Sequence, residues 1–584
     1  MINQEIAKIF YLMSEYFQMN NEESFRSMAY SRAARALESI TEDLEKAYRQ
    51  GGLKSIEKIP GIGRSLALKI EEYINDKKIV EFDKLRQECP VDLDALSSVH
   101  GLGPKMIKIL YQKLKIKTLD DLERAARTGK IRGLPRFGEK VQYNILRSIE
   151  FIKRSHGRFL LGHILPASKE LVELLKGLPE VLQVEIAGSA RRRLPTIGDL
   201  DILVATNKPV EVIKFFTSFS RVEKIWGRGT TKASVRWRDG FNVDLRVIKP
   251  SSFGAALQYF TGSKDHNIAL RRLAQAKGFK LNEYGLWRLE GKKEIKIASR
   301  TEKVIYETLG LSYLEPEIRE NTGEIEAAIQ EAQGIKNSLP QLVGYDEVLG
   351  DLQMHSDWSD GAVSIEEMAK AAKKLGRKYI AITDHTGDLK IANGLDAKRL
   401  LSQMKEIDRI NQKISGIKIL KGAEVNIQND GALDMPDEIL AKLDVILAAV
   451  HTQMNQGKQV MTERLIKAIS HPSVNIIAHP TGRILQEREG YQLDFDRVLV
   501  AAKKNNTFLE IDAYCDRLDL SDRHIRRCVQ AGVKLSIGTD SHHPNQLWMM
   551  ELGISQARRG WAEKDDIINT RTLGDLKKIL NLKS

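Results

Sequence analysis

The sequence predicts a multidomain protein: an α-helical amino-terminal region, an α+β middle portion and a carboxyl-terminal distorted (β/α)7 barrel. Three observations carry this fold class. A chain of 584 residues, 42% of them apolar, is long enough for several cores. Its first 150 residues read as short amphipathic helices punctuated by glycines, after which the apolar period becomes that of strands. Beyond residue 345, seven apolar runs end in polar, ligand-type side chains, with helical stretches between most of them.

In the first 150 residues, similar elements recur about every forty residues. "IPGIGRSLALKIEEYI" and "VHGLGPKMIKILYQKL" each place two glycines around one apolar residue before an apolar-periodic helix: Gly61 and Gly63, then Gly101 and Gly103. "LPRFGEKVQYNIL" keeps Gly138 but has Arg136 at the first glycine position. Such glycines turn the backbone tightly and bring N–H groups at a helix amino terminus against a phosphate, gripping a nucleic-acid backbone without reading bases. The repeats resemble helix-hairpin-helix DNA-binding motifs.

Charge divides the chain in the same sense. The net charge is +13, made up of +4 over residues 1–150, +12 over 151–315, −3 over 316–345 and zero over 346–584. The basic excess favours a polyanionic partner for the first 315 residues and separate work for the last segment. Cys89, Cys515 and Cys528 form no CxxC pair, so neither a disulfide framework nor a thiolate zinc site is expected. The amino terminus has no basic-then-apolar leader and "VILAAV" is too short to span a bilayer, so a cytoplasmic protein without membrane contact is expected.

Between 150 and 250, "GSARRRLPTIGDLDILV" joins a Gly188-Ser189 turn, an arginine cluster with Arg192, and Gly198 leading into Asp199 and Asp201. Strand side chains alternate, so both carboxylates face one way, and "NVDLRV" adds Asp244 on another apolar strand. Three converging carboxylates repel one another unless they hold cations; a pair of Mg²⁺ ions there would align an attacking hydroxyl, a transferred phosphoryl group and a leaving pyrophosphate.

The Gly-Ser…Gly-Asp-x-Asp spacing resembles the nucleotidyltransferase superfamily. With "LQYFTGSKDHNIALRRLAQAKGFKLNEYGL" and the hairpin repeats, residues 1–315 resemble the polymerase beta-like X family of DNA polymerases. That resemblance implies that Ser189 and Arg192 hold the β- and γ-phosphates. Tyr259, Phe260 and Gly262 line the incoming sugar, Asn267 contacts the base edge, and Arg271 the template. Arg246 orients Asp244, the acceptor of the primer hydroxyl's proton. It also implies an amino-terminal lyase in which Lys69 attacks an abasic sugar, with Arg26 and Tyr30 supporting the 5′-phosphate.

In the last segment His355, His385, His451, His479 and His542 stand at strand ends with Asp360, Glu424 and Asp540. One such histidine is ordinarily a core residue; this concentration is a ligand set, and imidazole with carboxylate suits zinc or manganese. The pattern resembles the polymerase and histidinol phosphatase (PHP) domain, whose members use up to three metals on phosphoesters. The resemblance implies three sets: Gln353, His355, Glu424 and Asp540; Glu424, His451 and His479; Asp360, His385 and His542. Gln353 departs from the family's opening His-x-His, and an amide is a poorer zinc ligand than imidazole.

The expected division is therefore 1–80 a lyase-like helical domain, 81–150 a fingers-like subdomain, 151–250 palm, 251–315 thumb, 316–345 linker and 346–584 the PHP barrel. The expected function is template-directed short-gap filling on gapped or nicked duplex DNA with deoxynucleoside triphosphates, by a monomer. A manganese- or zinc-dependent 3′–5′ exonuclease, 3′-end-processing or abasic-site endonuclease would reside in the barrel. A nucleotidyltransferase for RNA or small molecules, a barrel silenced by Gln353, and a non-enzymatic end-binding scaffold remain open on sequence alone.

Overall fold

The computed structural model describes residues 2–19, 25–39, 44–59, 61–97, 99, 102–139, 141–143, 145–146, 148–149, 157–291, 293–387 and 392–580. The chain divides into two units, Met1–His156 with Gln486–Glu489, and Gly157–Leu485 with Gly490–Ser584. Among the described residues, no helix is long and apolar enough to cross a membrane.

The first unit is helical. Helices Ile2–Met19 and Phe25–Ser39 pack through Phe10, Phe17 and Tyr30, with the Phe10 and Tyr30 rings edge to face at 5.2 Å. The glycine repeats fold alike down to their caps. Helices Arg64–Asp76 and Pro104–Leu114 start from Gly63 (φ −83°, ψ 170°) and Gly103 (φ −85°, ψ 168°). They end in left-handed Lys77 and Lys115, whose N–H groups bond the carbonyls of Tyr73 and Tyr111. Gly61 has φ +85°, and in the degenerate third copy Arg136 takes φ +73°. Gly101 lies outside the described residues. The third hairpin thus keeps its backbone path although an L side chain resists that conformation by about 1 kcal/mol.

The second unit begins with β1 (Phe159–Leu160) and helix Leu161–Lys176. Strands β2 (Gln183–Ile186), β3 (Thr196–Ile197), β4 (Asp199–Ala205), β5 (Val222–Arg228), β6 (Lys232–Trp237) and β7 (Asn242–Ile248) follow. Five of them form a sheet in the order β2-β4-β7-β6-β5, in which only β4 and β7 run parallel. Helices Phe253–Thr261 and Lys264–Ala276 lead to an antiparallel sheet of β8 (Phe279–Asn282), β9 (Gly285–Glu290) and β10 (Lys293–Ala298).

The acidic stretch 316–345 is built into this unit. It contains helix Glu324–Ala332, and its acidic side chains have specific partners: Glu317 pairs with Arg558 at 2.7 Å, and Glu324 accepts a hydrogen bond at 2.7 Å from buried His266, whose pKa burial lowers. Fully buried Arg319 bonds Glu302 at 2.5 Å.

Seven parallel strands then run in sequence order: β11 (Gly350–Asp351), β12 (Tyr379–Ile382), β13 (Lys418–Asn426), β14 (Val445–Ala449), β15 (Ile476–Ile477), β16 (Phe508–Asp512) and β17 (Leu535–Gly538). Their near-continuous burial is that of parallel strands covered on both faces. Past the ends of β11 and β17, Met354 bridges Ser541 in parallel, closing the ring. Palm and barrel share one apolar core: Leu161, Leu165 and Leu200 cluster with Cys515, Leu518 and Leu552. A Cβ at Gly162 would lie 2.4 Å from the Cys515 Cβ.

Arg136→Gly should relieve the left-handed strain of the third hairpin and stabilise the first unit by about 0.5–1 kcal/mol. Thermal unfolding of the full chain, followed by amide exchange in the first unit, checks this; unchanged or lower protection would count against it.

Candidate active sites

The palm site is set by strand register. Parallel pairing of β4 and β7 puts Asp201 opposite Asp244 and Asp199 opposite Asn242. Along β7, Val243, Leu245 and Val247 are buried while Asp244 and Arg246 lie on the other, half-buried face. Gly188 approaches Asp201 so closely that a Cβ would fall 2.1 Å from its Oδ2, and its φ of +61° also favours glycine. The Asp201 carboxyl is pushed up to about 7, first by burial and then by Asp199 and Asp244, with partial relief from Arg246 and Lys232. Lys232 Nζ lies 2.8 Å from Asp244 Oδ2, a contact that nothing in the sequence singles out. It follows from β6, on which Ser234 sits opposite Asp244 two residues further along. Carboxylates that still repel one another, with Lys232 on Asp244, are oxygen donors whose repulsion a divalent cation would relieve.

Around these aspartates, Ser189 lies in the short helix Gly188–Arg191, and Gly198 immediately precedes β4. Arg192 is already engaged, its Nε 3.0 Å from Glu320 and its Nη1 donating to the Thr261 carbonyl at 2.5 Å. Tyr259 and Phe260 stack edge to face at 5.2 Å; the Arg271 guanidinium lies 5.8 Å from the Tyr259 ring centre, and that of Arg246 5.1 Å from Phe260. Gly262 (φ +71°) would bring a Cβ to 3.1 Å from Arg192 Nη1. Asn267 is buried and its amide is in use: it accepts from Gln258 and donates to the Tyr259 carbonyl, both at 2.7 Å. The structure therefore brings both ends of this residue set together, and gives Arg192 and Asn267 protein partners.

In the first unit, Lys69, Arg26 and Tyr30 converge on Glu81. The Lys69 ammonium forms an ion pair with it, Arg26 lies at 2.5 Å and the Tyr30 hydroxyl donates at 3.1 Å. Burial opposes ionisation of Glu81, yet Lys69 and Arg26 hold its carboxyl below the usual range. Burial, then Glu81, raises the Tyr30 phenol. Sequence reasoning missed Glu81, which lies on a separate helix, Val80–Glu88. Gly61, Gly63, Gly103 and Gly138 have open space where a Cβ would stand, as a close backbone approach to phosphate requires.

The barrel site gathers at the strand ends into three groups whose ligand atoms lie within 4.8 Å: His355, Asp360, His385 and His542; His385, Glu424 and His451; His355, Glu424 and Asp540. Glu424 is the hub, 3.1 Å from His385 and His451 and 2.9 Å from His479. His355 and His385 are each shared by two groups, so the ligands form a chain instead of three separate sets. Asn426 accepts from His451 Nδ1, and Asp540's carbonyl accepts from His542 Nδ1 at 2.8 Å, which turns the other ring nitrogens toward carboxylates.

Gln353 is fully buried with its side-chain amide against the Glu510 carboxyl; oriented with its nitrogen toward Glu510, it donates to Oε2 at 2.8 Å. On β16, the sequence pattern does not mark Glu510 and Asp512 as part of this site; burial, then neighbouring carboxylates, raises both well above the ordinary range. Arg517 lies 3.4 Å from Asp512 and 3.7 Å from Asp540. Burial disfavours a charged His355, yet Asp540, Asp360 and Glu424 hold its pKa up to about 10, while burial drives His385 down to about 3. Buried Nδ1 atoms of His355, His385 and His479 have no hydrogen-bond partner. Orphaned imidazole nitrogens among carboxylates fit transition-metal ions.

Helical hairpins, a carboxylate-bearing palm and a ligand-lined barrel on one chain define a metal-dependent enzyme of nucleic-acid phosphoesters. Family comparisons agree: residues 1–79 match the helix-hairpin-helix domain, 93–150 the SAM-like helix-hairpin-helix tandem, 256–320 the DNA polymerase beta thumb and 351–513 the PHP domain. A relative from Bacillus subtilis described as "DNA polymerase/3'-5' exonuclease PolX" is 37% identical over 99% of both chains. A "Probable phosphatase" of Thermoanaerobacter sp. is 32% identical over 40% of this chain and 94% of its own. A ternary complex of Leishmania infantum polymerase beta matches at 25% identity and a TM-score of 0.26, covering 39% of this chain and 97% of its own. The chain belongs to the X family of DNA polymerases, in the PolX group that joins a polymerase beta-like core to a PHP domain.

Asp201→Asn keeps the shape of the palm site and removes the charge. Because the folded carboxyl titrates near 7 against an ordinary 3.8, its destabilising effect grows as pH rises through that interval and is complete above it. Without metal the variant should therefore be more stable than the parent by about 1–2 kcal/mol at pH 8 and converge with it near pH 4; with Mg²⁺ and nucleotides it should lose DNA extension by about 1000-fold. Equal melting curves at pH 8 would contradict the site electrostatics.

In the metal-free barrel, protonated His355 contributes stability that is full below its ordinary 6.5 and lost as pH rises through 10. The melting temperature should fall across that window, and added Mn²⁺ at pH 8 should release protons detectable with an indicator dye. A flat profile without proton release would show that the histidine is uncharged.

Proposed function

We propose that this protein fills short gaps in duplex DNA and, with its barrel, trims 3′ ends or cuts at abasic sites. The observation that carries the polymerase half is the parallel register of Asp201 and Asp244 beneath the Gly188 turn, beside the Tyr259-Phe260 pair. The substrates are gapped or nicked DNA and deoxynucleoside triphosphates, and the working species is a monomer. The hairpin glycines and the basic excess of the first 315 residues supply the grip on the backbone.

Asp199, Asp201 and Asp244 would hold two Mg²⁺ ions, which neutralise developing phosphoryl charge and lower the pKa of the primer hydroxyl. Asp244, oriented by Arg246, accepts the proton of that hydroxyl. Ser189 and Arg192 bind the leaving pyrophosphate, for which Arg192 must exchange Glu320 for the triphosphate. Tyr259 and Phe260 form the wall beside the incoming sugar.

In the barrel, the Glu424-centred chain of ligands would hold up to three Mn²⁺ or Zn²⁺ ions, which polarise a phosphodiester and supply a hydroxide nucleophile. With its nitrogen on Glu510, Gln353 can offer only an amide oxygen, which favours the harder manganese. In the first unit, Lys69 would attack the sugar of an abasic site as its free amine, for which it must leave Glu81, and Arg26 and Tyr30, which share that glutamate, would turn to the 5′-phosphate.

A gapped duplex with one labelled primer tests these readings together. With Mg²⁺ and nucleotides the primer should lengthen, and the double variant Asp199→Ala, Asp201→Ala should bind DNA but not extend it. With Mn²⁺ alone the primer should shorten from its 3′ end, and His385→Ala should abolish that by about 100-fold or more. Shortening that survives His385→Ala, or never occurs, would remove the barrel from the reaction. Borohydride should trap an abasic 5′-end on the parent but not on Lys69→Ala; equal trapping would reject the lyase role.

A further inference from the structure

The three arginines after Ser189 leave the turn in three directions. Arg191 bonds Glu302 at 2.7 Å on the thumb side, and Arg192 bonds Glu320 at 3.0 Å in the acidic stretch. Arg193, in the left-handed conformation (φ +58°), reaches Glu551 at 3.1 Å on the barrel helix Met550–Arg559. The Glu320 oxygen that accepts from Arg192 also accepts from Arg559 at 3.0 Å. The same Arg559 nitrogen, Nη1, donates to the backbone carbonyl of Arg192 at 2.8 Å, and Nη2 donates to Asp522 at 2.5 Å. Only 4% of the Arg559 side chain is exposed.

We propose that Arg559, a barrel residue, is a positioning residue of the nucleotide site: through Glu320 it controls how readily Arg192 is released to an incoming triphosphate. This rests on the reading of Arg192 as a triphosphate ligand. The physical argument concerns a shared carboxylate. A triphosphate must take Arg192 from Glu320, and a carboxylate in a largely buried setting left without a cation is costly. Arg559 lies on the same oxygen, so Glu320 stays neutralised when Arg192 leaves. Without Arg559, Arg192 would be the cation holding Glu320, and the nucleotide would compete with a stronger ion pair. The Arg559 bond to the Arg192 carbonyl also fixes the turn from below. The barrel then completes the polymerase pocket, in addition to any chemistry of its own.

The test is steady-state gap filling by the full chain, with nuclease activity and thermal unfolding as folding controls. Arg559→Ala should raise the nucleotide KM about tenfold while kcat changes less than about twofold. Adding Glu320→Gln to Arg559→Ala should restore KM to within about threefold of the parent, because the amide no longer holds Arg192 as a charge partner. A general packing defect would not be rescued by a second substitution. Should Arg559→Ala not fold, Arg559→Lys, which keeps the charge but loses the forked reach, should raise KM by a smaller factor with the same rescue. Parental KM in a folded Arg559 variant, or a defect that Glu320→Gln fails to relieve, overturns the proposal. Arg192→Ala separates the two layers. If it raises KM but Arg559 variants do not, only the barrel's role falls; if Arg192→Ala leaves KM unchanged, the triphosphate reading falls first.

Discussion

Negative charge gathered in poorly solvated places governs the second unit. In the palm, strand register alone forces Asp201 and Asp244 side by side with Asp199 two residues away, and the penalty appears as a carboxyl that titrates near neutrality. In the barrel, Glu424, Asp540, Asp360, Glu510 and Asp512 crowd one rim, and burial alone would neutralise them. The two sites meet this demand differently. The palm leaves its aspartates with one lysine on Asp244, while the barrel surrounds its hub with imidazoles that can carry protons or yield them to metal.

The same demand explains the acidic stretch between palm and barrel. Glu317 and Glu320 are the counter-charges of arginines from other segments, Arg558 for the first and Arg192 with Arg559 for the second, while Glu324 accepts a hydrogen bond from His266. A buried ion pair contributes little net stability but penalises any arrangement that separates its members. These pairs therefore specify how thumb, palm and barrel sit against one another within this unit.

Much of this was legible beforehand because it rests on local pattern. Alternation in "GDLDILV" and "NVDLRV" announces strands with acidic faces, the glycine repeats announce the capped helices, and apolar runs ending in histidine announce the barrel rim. What stayed hidden depends on partners far apart in the chain. Lys232 meets Asp244 only through antiparallel pairing, Glu81 meets Lys69 only through packing of two helices, and Gln353 turns toward Glu510 across the barrel. Charge counting found the stretch 316–345 acidic, but only the fold reveals which cations it serves. Arg136 shows the converse: a departure from the repeat that the backbone absorbs without changing path.

The core shared by the palm helix Leu161–Lys176 and the barrel residues Cys515, Leu518 and Leu552 has a consequence for the molecule's history and handling. Where Gly162 lies against Cys515 there is no room for even a methyl group, so neither wall can drift in shape unless the other follows. A severed barrel would present that greasy seam to solvent and seek a substitute for it. The two catalytic halves are thus wedded at a surface where no chemistry takes place.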